Sequence, residues 1–318
     1  MANSPLPVVI SYGGGLNSWT MLLEAVNRGI VPDYVVFCNV GDIAGRDPGE
    51  WPSTYRHIQE VVKPFCEDLG ITFVELHSDV RGERSLFSWM RQRGQIPVAG
   101  PSRICTIIAK VEPFERWMNA TFPGQKVEVW IGFERGEEKR AENDPNAGKK
   151  KAPKPGEAVR CNRFPLIEWG ICRCRCEKIA RDSGYPVPRK SACVFCPYGS
   201  KGDWQTFARE LPEQFAQVEE MEADKMSRPT VKSGVQMSIM GYRKAKPGKL
   251  PASPVRGVHY KAPTLAEYVA TPYKPQPKPC PVCGQAERAT KSTGCTYLGD
   301  DEANGGAGLV QLSPKEAA

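Results

Sequence analysis

The chain has 318 residues, 40% hydrophobic and 25% charged, which excludes a fibrous or disordered polymer and fits an ordinary globular protein. Its 43 Lys and Arg against 36 Asp and Glu give a net charge of +7, which suits phosphate-bearing ligands without selecting one. No apolar stretch approaches a membrane span and no secretory signal opens the chain, so a cytoplasmic protein without membrane contact is expected.

Residues 8–10 are a short apolar run, the pattern of a buried parallel strand. The run gives way to Ser11 and the consecutive glycines Gly13, Gly14 and Gly15, and then Asn17 and Ser18 open an apolar-periodic segment. The pattern predicts strand, glycine loop, helix. Glycines admit positive φ and close approach of a ligand. The unpaired N–H groups and dipole of the helix start favour an anion there. A tight turn without a ligand is the alternative. No Gly-Lys-Ser/Thr follows, which excludes the nucleotide-kinase P-loop, and the contiguous glycines exclude the dinucleotide fingerprint.

Residues 34–41, ending in Gly41, read as a second strand, and residues 42–52 as a polar loop. Ser53 is the expected N-cap of a helix with Tyr55, Ile58, Val61, Val62 and Phe65 on one face. Residues 71–76 predict a third strand, residues 86–90 a helix start, and residues 95–101 a loop. Residues 105–118 predict a helix with Pro113 as kink or boundary, and residues 127–132 a fourth strand. This repetition predicts an α/β fold, a doubly wound and mostly parallel sheet. Ligands of such folds sit outside the carboxyl ends of the strands. The glycine loop, residues 39–42 and residues 132–140 all lie at such ends.

Residues 141–160, with Lys149, Lys150, Lys151 and Lys154, predict a basic surface loop, either solvated or touching nucleic acid. Residues 164–169 form an apolar patch, and residues 204–221 predict one helix. Beyond 227 the chain is rich in Pro and Lys, with one short helix expected at 264–269. The expected organisation is a nucleotide-binding domain over 1–140, a basic loop and Cys-rich helical region completing it over 141–226, and an irregular C-terminal extension over 227–318.

Twelve cysteines are many for a reducing compartment, where such numbers point to metal or catalysis. Cys193-Val-Phe-Cys196 has the spacing that brings two thiolates to one metal, and Cys172, Cys174 and Cys176 alternate upstream. Four-thiolate zinc, an iron–sulfur cluster with four thiolates or fewer, and unliganded thiols all remain open. Arg103-Ile-Cys105-Thr106, followed by Lys110, is a second candidate, since a helix start lowers a thiol's pKa. Cys280, Cys283 and Cys295 form a third group, half of a zinc knuckle or unliganded thiols.

Residues 11–18 resemble the PP-loop of the ATP pyrophosphatase superfamily, usually Ser-Gly-Gly-x-Asp-Ser. Arg103, Cys105, Thr106, Lys110 and Pro113 resemble an element of its phosphoadenosine phosphosulfate (PAPS) reductase branch. So do Ile131, Gly132, Arg135, Glu137 and Arg140, and the segments 164–169 and 190–197. The resemblance spans residues 8–221. It implies an adenine nucleotide alpha hydrolase-like fold, with ATP or a PAPS-like nucleotide and Mg2+. Ser11, Gly13, Gly14, Gly15, Asn17 and Ser18 would hold the phosphates and Asn39 and Gly41 would border the nucleoside. Arg103, Arg135 and Glu137 would complete that site, and Cys105, Lys110 and Arg140 would act in catalysis.

The resemblance further implies a metal set of Cys105, Cys176, Cys193 and Cys196, holding an iron–sulfur cluster or Zn2+, with Cys172 and Cys174 as spares. Asn17 stands where the family has aspartate, and Asn39 where the branch often has one. The C-terminal Glu-Cys-Gly-Leu-His motif of true PAPS reductases has no counterpart; Ser292-Thr-Gly-Cys295-Thr is the nearest segment. Three functions are expected in turn: sulfur transfer or nucleotide and nucleic-acid modification by a PP-loop enzyme, sulfonucleotide reduction with Cys295 as replacement nucleophile, and a zinc-bearing accessory protein without turnover. The partners implied are an adenine nucleotide and a nucleic-acid substrate, with a homo-oligomer left open.

Overall fold

A computed structural model of the chain describes residues 6–42, 44–77, 80–98, 104–144, 154–227, 235–244, 263–273, 280 and 282. Strands β1 (Val8–Tyr12), β2 (Tyr34–Asn39), β3 (Thr72–His77), β4 (Lys126–Ile131) and β5 (Val159–Arg163) form one sheet in the order β3-β2-β1-β4-β5. All four pairings are parallel; Ile10 stands opposite Val35 on one side and Trp130 on the other. The α/β expectation holds.

Side chains alternate across the sheet as the pleat requires. Ile10, Val35, Phe37 and Trp130 enter one core, with Trp19, Leu22 and Leu23 of helix α1 (Leu16–Asn27). Val9, Val36, Val127 and Val129 enter the opposite core. Both faces are covered, which is why these strands read as unbroken apolar runs. Burying each such side chain contributes about 1.5–3 kcal/mol.

After β2 the chain runs through α2 (Pro52–His57), a π-helical turn at Ile58–Val62, and α3 (Lys63–Asp68). The α2 N-cap is Trp51, without a side-chain cap, rather than Ser53; with Pro52 at the first helical position the helix starts two residues earlier than expected. Helix α4 (Leu86–Gln92) carries a Ser85 capping box. A single turn α5 (Ile104–Thr106) leads through a second π-helical turn at Ile107–Val111 into α6 (Glu112–Thr121), whose Phe114 and Met118 pack in the second core. Each π-turn ends just before a proline, Pro64 or Pro113. A proline supplies no N–H and crowds the carbonyl four residues earlier, so the preceding turn widens.

The segment expected to be one basic loop holds two elements. Helix α7 (Glu138–Glu142) runs into its start, and edge strand β5 closes it; residues 145–153 lie outside the described set. The composition of β5, Val-Arg-Cys-Asn-Arg, hides it, because a charged edge strand lacks an apolar run. Next come α8 (Pro165–Glu168) and α9 (Arg173–Asp182), which packs along α1.

The expected helix over 204–221 is two, α10 (Lys201–Glu210) and α11 (Pro212–Ser227), because Pro212 breaks the run at Leu211. Strands β6 (Val235–Ser238) and β7 (Gly241–Lys244) form an antiparallel hairpin the periodicity did not reveal. Helix α12 (Leu265–Ala270) starts at a Thr264–Glu267 capping box. A third core joins α4, α10, α11 and α12 through Phe87, Trp204, Phe207, Phe215 and Leu265. The Glu222 carboxylate, 3% exposed, accepts from the Ile239 and Leu265 amides at 2.9 and 2.8 Å, tying the hairpin and α12 to α11.

Among the described residues, no helix is long and apolar enough to cross a membrane.

Candidate nucleotide and thiol site

Strand order reverses between β1 and β4, so the crevice outside their carboxyl ends is the topological switch point where open α/β sheets bind ligands. The glycine loop occupies it. Gly14 has φ +74° and sits so close to β2 and α2 that a Cβ would lie 2.7 Å from Thr54 Cγ2. Gly15 is the N-cap of α1 with no side-chain cap, which leaves the first-turn N–H groups available to an anion. Ser18 Oγ donates to the Gly15 carbonyl at 2.9 Å, and Ser11 lies half-buried near the end of β1. On the β4 side, a Cβ on Gly132 would meet Ser18 N at 3.2 Å, so the exit of β4 runs against the start of α1.

Asn17 Oδ1 accepts from Arg173 Nη1 at 3.0 Å. A guanidinium therefore stands at the α1 N-terminus. Local sequence does not mark Arg173 as a site residue, because its contact with Asn17 spans 156 positions of chain.

Asn39 is buried. Its Oδ1 accepts from Gly41 N at 2.9 Å and Tyr55 Oη at 2.8 Å, while its Nδ2 donates to Glu75 at 2.9 Å. The amide shapes the exit of β2. Gly41 is required there: a Cβ would lie 2.6 Å from Tyr55 Oη. Arg135 is exposed, with its amide donating to Ile171 O at 2.8 Å. Glu137 and Arg140 form an ion pair, and the Arg140 guanidinium lies 4.2 Å over Phe133, which stacks on Phe164 at 5.4 Å. Arg103 lies outside the described residues.

A cavity of about 600 Å³ opens beside the glycine loop, and its wall includes Cys105, Lys110, Arg140, Ser191, Cys193 and Cys196. Lys110 Nζ reaches Glu50 Oε1 at 2.8 Å. The Glu50 side chain is fully buried, and its second oxygen has no hydrogen-bond partner. Desolvation opposes the Lys110 charge, but Glu50 and the neighbouring Cys193 and Cys38 sulfurs outweigh it and hold the ammonium above its usual pKa. Burial, reinforced by Glu50, pushes the Cys193 thiol well up, with Lys110 opposing. Burial likewise raises Cys196. Without a metal these two thiols stay protonated at neutral pH, with a fixed cation beside Cys193.

Three of the four expected metal ligands, Cys105, Cys193 and Cys196, thus share one cavity. Cys176 stands apart. It is fully buried in the core between α1 and α9, its carbonyl accepting from Thr20 Oγ1 at 3.1 Å, and burial raises its thiol pKa. In the third group, Cys280 is buried against Cys172 and Cys174, while Cys283 and Cys295 lie outside the described residues. Among the described residues, no three Cys, His, Asp or Glu side chains are disposed as ligands to a single ion.

The residue that joins the two halves is Ser191. Its Oγ donates to the Gly13 carbonyl, and a Cβ on Gly15 would meet Ser191 Cβ at 3.0 Å and its amide nitrogen at 3.1 Å. Extended pairing of Glu50 with Cys193, and a 2.8 Å bond from Val194 N to Gly49 O, fix the same segment to the β2 exit loop.

No protein-family model matches the chain, and no curated protein matches it. Among solved structures it is similar to the U34-tRNA thiolase NcsA from Methanococcus maripaludis with its 4Fe–4S cluster, at 16% identity and a TM-score of 0.36, over 72% of this chain and 75% of that one. At that level the likeness bears on neither substrate nor activity.

Proposed function

We propose that this chain is a PP-loop enzyme of sulfur transfer. It binds ATP at the glycine loop, activates a substrate oxygen as an adenylate, and acts on a nucleotide or nucleic acid. The observation that supports this reading is the Ser191 contact: a residue of the three-thiol cavity wall donates to the Gly13 carbonyl of the glycine loop.

The open N–H groups at the start of α1 would hold the leaving pyrophosphate, a preorganised electrostatic role. Arg173 adds positive charge at that point, and Arg140 adds it where the cavity begins. Guanidinium forks match phosphate oxygens. The thiols of Cys105, Cys193 and Cys196 fit an iron–sulfur cluster as a donor set of soft sulfurs on one cavity wall. Zinc fits them less well, because its ligands must converge on one centre at about 2.3 Å. When bound, the cluster supplies iron able to take sulfur at a position no protein thiolate fills. Lys110 offsets part of the negative charge that thiolates at Cys193 and Cys196 create.

The reductase branch is the narrower alternative; its proposed nucleophile, Cys295, lies outside the described residues. The test is anaerobic reconstitution of the full chain with ferrous iron and sulfide, followed by iron analysis and by pyrophosphate release from ATP with RNA present. Wild type takes up a cluster, Cys193→Ser and Cys196→Ser do not, and RNA raises pyrophosphate release. A chain that takes up no iron, or keeps it through both substitutions, contradicts the reading.

A further inference from the structure

The thiols account for only part of the cavity wall. Its volume of about 600 Å³ falls in the range of about 300–1,000 Å³ that holds a small organic ligand. Eight large apolar side chains are exposed among the described residues, and four of them gather here. Val98 and Tyr198 line the cavity, while Ile104 and Ile107 bracket its wall residues Cys105 and Thr106; the four are 41–48% exposed. Exposed apolar groups collected at a concave site mark a ligand rather than a solvated face. The wall is also cationic. Lys110, Arg140 and Lys190 line it against one carboxylate, Asp203, which already accepts from Ser200. Lys110 and Arg140 pair with Glu50 and Glu137, and Lys190 stands exposed. A ligand that is flat and apolar at one end and anionic at the other answers both features, and a nucleotide is such a ligand.

We propose that Tyr198 is the stacking platform for one unpaired nucleotide of a polynucleotide substrate, with Lys190 and Arg140 taking its phosphates. Every base has a π-face, so a ring in the wall holds one without reading sequence. A paired base is shut inside its stack, so only an unpaired or flipped-out one enters a cavity. Local structure ties this platform to the thiols. The Tyr198 amide donates to the Cys196 sulfur, and the Gly199 amide donates to the Cys196 carbonyl at 2.9 Å. Gly199 keeps that turn tight: a Cβ would lie 3.0 Å from the same oxygen. A base stacked on Tyr198 is therefore seated beside the Cys196 thiol. The inference rests on the proposed function for what the thiols do to that base; the stacking needs no cluster and is tested without one.

The experiment is fluorescence anisotropy of the full chain, purified anaerobically and not reconstituted, with a labelled single-stranded oligoribonucleotide. Tyr198→Ala is expected to weaken binding about tenfold, and Tyr198→Phe to stay within about twofold of wild type. Lys190→Gln is expected to lower the slope of the salt dependence by about one. A hairpin duplex and a free nucleoside monophosphate are each expected to bind roughly tenfold more weakly than the strand. Melting curves confirm folding. Should Tyr198→Ala fail to fold, wild type is photocrosslinked to the strand carrying 5-iodouridine, and peptide mapping is expected to find the label on Tyr198. The proposal is overturned by wild type that does not bind the strand, by Tyr198→Ala within about twofold of wild type, or by Tyr198→Phe as weak as Tyr198→Ala. An unchanged salt slope in Lys190→Gln, duplex or free nucleotide bound as tightly as the strand, or a crosslink confined to other peptides also overturns it. Iron uptake is measured separately, so a chain that takes up iron yet binds the strand regardless of residue 198 loses only this inference.

Discussion

Replacing Arg173 by Gln tests the electrostatics of the glycine loop. Its guanidinium lies 3.0 Å from Asn17 Oδ1, on the second residue of α1, and its side chain is 26% exposed. A unit charge about 6 Å from a phosphate, at an effective dielectric of about 20, is worth about 3 kcal/mol. A hydrogen bond to a charged group is worth about 1.5–3 kcal/mol. The two figures describe one interaction, so the expected loss is about 2 kcal/mol, or roughly thirtyfold in Kd for ATP. Arg173→Lys keeps the charge without the fork and falls between. Asn17→Asp pairs with the guanidinium and also weakens ATP binding. Calorimetric titration of ATP into each variant, with melting curves to confirm folding, gives the answer. Binding by Arg173→Gln within twofold of wild type refutes the placement of phosphate at the start of α1.

Gly14→Ala forces a side chain into positive φ with its Cβ 2.7 Å from Thr54 Cγ2. Backbone strain of about 1–2 kcal/mol and overpacking of about 1–3 predict a marked drop in Tm, partly restored by Thr54→Ser. Burial lowers the His57 pKa, with the Pro186 carbonyl, 2.9 Å from Nε2, opposing. The unfolded chain therefore takes up this proton first. The stability tied to neutral His57 is present above the unfolded value near 6.5 and declines as pH falls toward the folded one. Melts at pH 7.5 and 5.5 should show that decline, and His57→Gln should reduce it. Glu222→Ala removes the acceptor of two backbone amides and should cost about 3 kcal/mol in denaturant unfolding, with early proteolysis around α12.

The parallel core was legible because β1, β2 and β4 are buried on both faces and so read as apolar runs. Strand β5 was not, since its Arg and Asn residues lie on a half-exposed edge. The break at Pro212 was written in the sequence, but the apolar spacing from Trp204 to Met221 continues across it and masked two helices as one. At the site, the glycine loop and Cys193–Cys196 could be read from local spacing. Their contact could not, because Ser191 meets Gly13 across 178 positions of chain. Resemblance alone places Cys176 with the cavity thiols. Helix geometry instead turns it into the α1–α9 core, and turns Cys172 and Cys174 toward Cys280.

The central claim is that glycine loop and thiol cavity form a single site. Titrating ATP into the anaerobically reconstituted, dithionite-reduced chain while recording the electron paramagnetic resonance spectrum tests it most directly. The account predicts that ATP shifts the cluster signal in wild type, and that Arg173→Gln needs roughly thirtyfold more ATP for the same shift. A cluster spectrum unchanged by saturating ATP would contradict it.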